Sequence, residues 1–309
     1  MEDHLNQNQV EQMKRIKQLL AQQEWNRASE QLEKLYEQRN DNEINHLLVE
    51  ALYMDNQFKM AYEFAVEKQE TFLLSADLFK LMVNVLLKSQ HLIEARQFAL
   101  ATANANWQAV AIQGINEFET TTAQTLVATR KANLRQFYHL GDQPFPQQRE
   151  RLARAGQLPL ADYMVGAKFL LRDPFTNPLI RSSILQNLQK LKITDRIKTY
   201  WIDEKEHEID GAQLVPIDQI PGYQQLIQAL KERLENVDPV AYATISQEIG
   251  MQMMMCYPFI EQVVTDADGW VDLEIAQFQG KTDLKGLDSG MAHWHSVIEA
   301  LIEALIKAY

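Results

Sequence analysis

The sequence predicts a mainly α fold: a solenoid of stacked helical hairpins, followed by a smaller α+β C-terminal region with a short β-hairpin. Three observations predict it. A bulky residue stands three places before an alanine in Trp25/Ala28, Phe58/Ala61 and Leu92/Ala95, and these alanines lie 33 and 34 residues apart. An apolar triplet precedes each of them: Ile16, Leu19 and Leu20; Val49, Leu52 and Tyr53; Val83, Leu86 and Leu87. No glycine occurs before Gly114 and no proline before Pro144, so the first part of the 309-residue chain is uninterrupted helix-forming sequence.

Each triplet has i, i+3, i+4 spacing and therefore makes one continuous helical stripe. Each repeat thus reads as two helices joined at a turn. The small marker alanine lets the pair approach closely, and the bulky residue before it fills the space at the turn. A weaker fourth unit runs from Trp107 to Tyr138.

These residues resemble the tetratricopeptide repeat family, whose unit is a helix pair of about 34 residues, over about residues 10–105. The sequence departs from the family where Ile16, Val49 and Val83 replace a usual small residue, and where the usual inter-repeat proline is absent. Both changes preserve the helix-pair packing. The resemblance implies a right-handed solenoid that binds a protein or peptide in a concave groove. Carried over by position, the groove residues are Lys17, His46, Glu50, Tyr53, Lys80, Asn84 and Lys88. Lys80, Asn84 and Lys88 share one helix face, a row suited to a peptide carboxylate or an acidic side chain. A solvated helix face is favoured over binding for this row. The family's chaperone-tail clamp is not expected, because Val110 and Gly114 stand where further basic groups are needed.

Three regions are expected: 1–140 as the repeat domain, 141–195 as a basic helical connecting segment, and 196–309 as a small α+β domain. Charge follows a similar division. Residues 1–127 carry 11 basic and 18 acidic side chains, residues 128–198 carry 13 and 5, and residues 199–309 carry 6 and 19. Ile197, Thr199–Ile202 and Glu208–Val215 predict a β-hairpin or a three-stranded element, ended by Pro216. Helical patterns cover 222–236, 239–256 and 291–308, the last with Leu301, Ile302, Leu305 and Ile306 on one face. Trp270–Gln279 fits strand or helix equally. The C-terminal part is expected to cap the solenoid or to dock a second partner.

No catalytic residue, cofactor or metal is assigned. In His293-Trp294-His295 a helix points the two imidazoles far apart, so surface or capping histidines are favoured over a metal site. Asp266–Gly269 suggests a calcium loop, but Val264 and Ile275 would occupy positions that need oxygen donors, so a turn is expected. Cys256, among Met251, Met253, Met254, Met255 and Tyr257, reads as a buried, inert thiol. Glu204, Glu206, Glu208 and Asp210 read as a solvated strand edge that discourages sheet pairing.

The basic middle holds Arg130, Lys131 and Arg135 in one helix and Arg149, Arg151 and Arg154 in the next. Internal or protein-facing use is favoured over an RNA or phosphate patch, because aromatic partners are sparse beyond Phe137, Tyr138 and Phe145. The net charge of −12 also disfavours non-specific nucleic-acid binding. The polar start Met1–His4 lacks a signal-peptide pattern, and the apolar run at 251–258 is too short to span a bilayer. With one cysteine, the expectation is a cytoplasmic protein with no membrane partner. The expected function is a non-catalytic scaffold for a protein or peptide. Nucleic-acid association through 128–198 is the first alternative, and a metal-dependent hydrolase a distant second. The whole pattern resembles bacterial repeat proteins that have no catalytic assignment.

Overall fold

Seven helices follow one another in the first part of the chain: α1 (Gln7–Ala21), α2 (Trp25–Gln38), α3 (Asn42–Met54), α4 (Phe58–Glu67), α5 (Ala76–Lys88), α6 (Leu92–Ala101) and α7 (Ala105–Thr125). A 3-10 turn at Gln69–Leu73 separates α4 from α5. They come from a computed structural model that describes residues 7–125, 127–281 and 289–307, so the Met1–His4 stretch lies outside the described residues. The chain divides into two compact units, Met1–Val127 and Ala128–Tyr309.

In the first unit the bulky marker residues open the second helix of each pair: Trp25 begins α2, Phe58 begins α4 and Leu92 begins α6. Ala28, Ala61 and Ala95 are wholly buried, as close helix approach requires. Each helix packs on the next, and α3–α5 and α5–α7 also pack, which stacks the hairpins into a tetratricopeptide-repeat-like solenoid. Asp41 and Ser75 cap α3 and α5 by accepting hydrogen bonds from the amides of Glu43 (2.8 Å) and Leu78 (3.3 Å).

The turns inside the three pairs share one geometry. Gln23, Asn56 and Gln90 adopt left-handed φ of 56°, 60° and 67°. The next amide then reaches back five residues: Glu24 to the Leu19 carbonyl (2.9 Å), Gln57 to Leu52 (2.9 Å) and His91 to Leu86 (2.8 Å). This closure satisfies helix-end carbonyls and redirects the chain. Amide side chains thus occupy the place glycine usually takes, which is how the hairpins form without one. The segment Trp107–Tyr138 does not add a fourth hairpin to this unit. Helix α7 packs on α5 and α6, whereas α8 (Val127–Tyr138), apart from its first residue, belongs to the second unit.

The second unit continues with α9 (Phe145–Ala155), α10 (Leu160–Leu170), α11 (Pro178–Lys190), β1 (Arg196–Tyr200), β2 (Glu206–Asp210), α12 (Pro221–Leu234), α13 (Pro239–Cys256), α14 (Ile260–Val263), α15 (Ala267–Phe278) and α16 (Ser289–Lys307). The strands form a two-stranded antiparallel hairpin, with Arg196 opposite Asp210 and Tyr200 opposite Glu206. Among the described residues a third strand does not form. Gly211–Gln213 turns into a 3-10 segment, and a Cβ on Gly211 would lie 2.5 Å from the Ile193 carbonyl oxygen and 2.7 Å from that of Asp195. The region expected to be a connecting segment shares this unit with the hairpin: Leu171 O accepts from the Tyr200 amide at 2.7 Å and from Thr199 Oγ1 at 3.3 Å.

One open element takes its form, and one expectation changes. Trp270–Gln279 falls almost entirely in α15, whose N-terminus is capped by Asp266 Oδ1 accepting from Gly269 N at 3.1 Å. The same cap accounts for Asp266 without calcium. Helix α16 buries Met291, His295, Ile298 and Leu305, while Ile306 is 69% exposed. The buried face is therefore rotated from the one expected through Leu301, Ile302, Leu305 and Ile306. Among the described residues, no helix is long and apolar enough to cross a membrane.

Candidate partner-binding surface

The first helices of the three pairs, α1, α3 and α5, carry the candidate groove residues. Lys17 Nζ lies 3.8 Å from Glu43 Oε1, so it bridges α1 and α3. Glu50 is exposed on α3. His46 is more enclosed than its position in the repeat suggests. Its Nε2 sits 2.6 Å from Thr71 Oγ1, and its ring centroid lies 4.7 Å from that of Phe72. Both partners come from the 3-10 turn at Gln69–Leu73, which no repeat period anticipates. Burial pushes the His46 pKa below its ordinary value, against the opposing pull of Asp41 and Glu43.

Helix α5 presents the remaining candidates. Lys80 and Lys88 are exposed and Asn84 is half-buried. The side chains of Lys80 and Asn84 make no hydrogen bond or ion pair among the described residues. Lys88 Nζ stands 5.9 Å from the centroid of the Phe58 ring, which lies 5.5 Å from the Tyr53 ring. The structure therefore brings Tyr53, Phe58 and Lys88 together at one end of the row. Phe58 reads from the sequence only as a turn filler. Its spacing from Tyr53 across the αL turn is the signal that could have added it to the surface.

The second helices are tied across repeats: Tyr36 Oη donates to Glu67 Oε2 at 2.8 Å, and Tyr62 Oη to Glu94 Oε2 at 2.9 Å. Burial and the Glu67 hydrogen bond push the Tyr36 phenol up to about 12.

The basic residues of the second unit divide in their use. Arg130 grips Asp162 with Nε and Nη2, the latter at 2.8 Å from Oδ1. Arg154 Nη2 lies 2.6 Å from Glu150 Oε1, and Arg151 donates to the His139 carbonyl at 2.7 Å. Lys131, Arg135 and Arg149 are exposed, with no ion pair among the described residues. The acidic strand is likewise paired rather than merely solvated. Glu206 meets Arg172 at 2.5 Å and Lys198 at 3.2 Å, and Glu208 meets Arg196 at 2.8 Å. Hydrogen bonds from Arg172 and Lys198 hold the Glu206 carboxyl below the usual range.

The two histidines of α16 separate as helical geometry requires, but only His293 is on the surface. His295 is 1% exposed, with Nε2 3.1 Å from Glu274 Oε1. The same oxygen accepts from Gln252 Nε2 at 2.8 Å, and Trp270 Nε1 donates to Gln252 Oε1 at 3.0 Å. A surface or capping role for His295 is therefore incorrect: it completes a buried network. Glu274 escaped notice in the sequence, although an acid beside Trp270 and Val271 on one helical face was a usable signal. Among the described residues, no cluster of three or more His, Cys, Asp or Glu is placed to hold a metal. Cys256 is buried, and desolvation pushes its thiol pKa up, away from thiolate chemistry.

Stacked hairpins with a shared turn geometry and wholly buried alanines at the repeat spacing define a tetratricopeptide-repeat-like helical protein. Over 111 residues, the chain is 26% identical to TPR repeat-containing protein YsoA of Bacillus subtilis (strain 168). The match covers 36% of this chain and 33% of that protein, so the chain spans about a third of that relative's length. No family model matches the chain, and no solved structure matches it.

Proposed function

We propose that the first unit is a non-catalytic scaffold that holds a protein or peptide partner along α1, α3 and α5. One observation carries this reading: the row of Lys80, Asn84 and Lys88, its first two members without a protein partner among the described residues, ends on the Phe58 and Tyr53 rings. A cationic row beside an aromatic pair suits an acidic segment that also carries an apolar side chain. The similarity to a repeat-containing protein supports the same reading. A single cysteine, buried and unpaired, fits a reducing cytoplasm.

The test is co-purification from native cytosol, followed by titration of the recovered partner. Lys80→Glu, Asn84→Glu and Lys88→Glu together should abolish stoichiometric capture while circular dichroism stays unchanged. Undiminished capture by the folded triple variant would place the partner elsewhere.

A second reading, nucleic-acid association, draws on exposed Lys131, Arg135 and Arg149. It requires filter binding at low salt with affinity that falls steeply as salt rises, and no binding at low salt would end it.

A further inference from the structure

Two helix faces of the second unit share one spacing and carry opposite charge. The first lies along α8 and α10. These helices approach closely because Gly166 leaves the Phe137 ring the room that a Cβ would take, and Arg130 clamps Asp162 beside it. Val165 and Phe169, one turn apart on α10, are 56% and 52% exposed. Tyr138 of α8 reaches across to Phe169, with ring centroids 5.7 Å apart. Helical spacing puts Lys131, Leu134, Arg135 and Tyr138 on one face of α8, at i, i+3, i+4 and i+7. Leu134 and Tyr138 are half-buried. Lys131 and Arg135 are exposed, and their side chains make no ion pair among the described residues. The nearby cations Lys168 and Arg172 are already answered, by Asp195 at 2.8 Å and Glu206 at 2.5 Å. The result is an apolar and aromatic strip with two unanswered cations along its α8 side.

The second face is on α16. That helix buries Met291, His295, Ile298 and Leu305 against its own unit. Glu299, Ile302, Glu303 and Ile306 repeat the i, i+3, i+4, i+7 spacing, with two acids in place of the two cations. Ile306 is 69% exposed, both acids are exposed, and Ile302 is half-buried. Glu303 meets Lys307 at 3.0 Å and Glu299 Oε1 accepts from Gln277 Nε2 at 2.9 Å. Both are solvent-exposed contacts, which contribute little and are readily exchanged. Each face is exposed within the same chain, so neither covers the other.

We propose that α16 of one copy docks on the α8–α10 face of a second copy, so that the chain assembles head to tail. The apolar side chains supply the affinity, as Ile302 and Ile306 leave water against Val165, Phe169 and Tyr138. The charges supply selection, with Glu299 and Glu303 meeting Lys131 and Arg135. Two α8 faces would set cation against cation, and two α16 faces acid against acid. The contact is therefore heterologous: each copy gives one face and receives on the other, which builds a ring or an open chain rather than a two-fold dimer. It also gives a use to a basic 128–198 segment and an acidic 199–309 segment in one chain.

The test is sedimentation of the full chain, freed of nucleic acid, over a range of concentrations. Its average mass should rise with concentration, and added salt should weaken the association several-fold. Phe169→Asp on one face and Ile306→Asp on the other should each weaken it about tenfold to a hundredfold, with circular dichroism unchanged. Lys131→Glu takes the place of Phe169→Asp should that variant not fold. The two variants are then mixed. Each keeps one good face, so a one-to-one complex should form and grow no further. A parent chain that stays monomeric, a folded variant that associates as the parent does, or a mixture without the one-to-one complex would each overturn the proposal. So would a monomeric chain that binds vesicles of anionic phospholipid, which would assign the α8–α10 face to a membrane.

Discussion

The two units differ in whether one solution repeats. In the first, one local solution recurs: a left-handed amide residue at 23, 56 and 90, a buried alanine five residues later, and an apolar stripe before it. Its buried guanidinium, Arg96, is matched by Glu119 and Asn116. In the second, no solution repeats. Its polar groups meet partners at no recurring spacing: Gln252 with Glu274 at a separation of 22 residues, Glu274 with His295 at 21, and Trp201 with the Cys256 carbonyl at 55, whereas the Tyr36–Glu67 and Tyr62–Glu94 bonds of the first unit recur at 31 and 32. Stacked repeats need only nearest-neighbour contacts, so a repeated motif suffices. A non-repeating core must bring together residues that share no local pattern, and each polar partner there is a separate long-range match.

The sharpest way to break this contrast is to remove a long-range partner. Glu274→Ala leaves His295 and Gln252 buried without their acceptor and should cost about 3 kcal/mol in urea unfolding. A loss below about 1 kcal/mol, within the range of an ordinary surface change, would show that the network contributes little. In the repeat unit, Ala61→Leu forces a larger side chain between α3 and α4 and should cost about 2 kcal/mol. Ala28→Leu and Ala95→Leu should cost similar amounts if the three hairpins are equivalent, and a spread of several kcal/mol would refute that equivalence. The smallest effect is a gain. Gln90→Gly relieves the left-handed backbone and should raise stability by about 0.5–1 kcal/mol, with Asn56→Gly giving less because asparagine tolerates that region. Thermal melts of the single variants would check it, and a destabilised Gln90→Gly would mean that its side chain contributes more than its backbone costs.

Legibility followed the same division. The repeat spacing, the turn fillers Trp25, Phe58 and Leu92, and the triplets led directly to the succession of helix pairs, because each depends on residues within one turn of each other. Two local features escaped. The left-handed turn residues are Gln and Asn rather than Gly, and the 3-10 turn at Gln69–Leu73 encloses His46 through Thr71 and Phe72. In the second unit, the hairpin and helices α12 and α13 were readable from β-branched and apolar patterns. Helix α15 was not, because it buries Trp270, Val271, Leu273 and Glu274: the last places an acid on the inner face and blurs the period.

The candidate surface was legible as a row on α5, since i, i+4 spacing alone puts Lys80, Asn84 and Lys88 on one face. That Lys88 stands over Phe58, and that Phe58 meets Tyr53, depended on how α5 packs beside the α3–α4 turn. The basic middle was legible as charge but not as pairing. Only the fold decided that Arg130 meets Asp162 while Arg149 stays exposed.

The amino-acid order by itself determined the stack of helix pairs, because helical periodicity and small residues at the hairpin contacts act over a few residues. Tertiary structure alone decided which charges are answered. Glu274 found His295 and Arg96 found Glu119 because a buried ion's partner is set by which elements pack together and not by its neighbours in the chain.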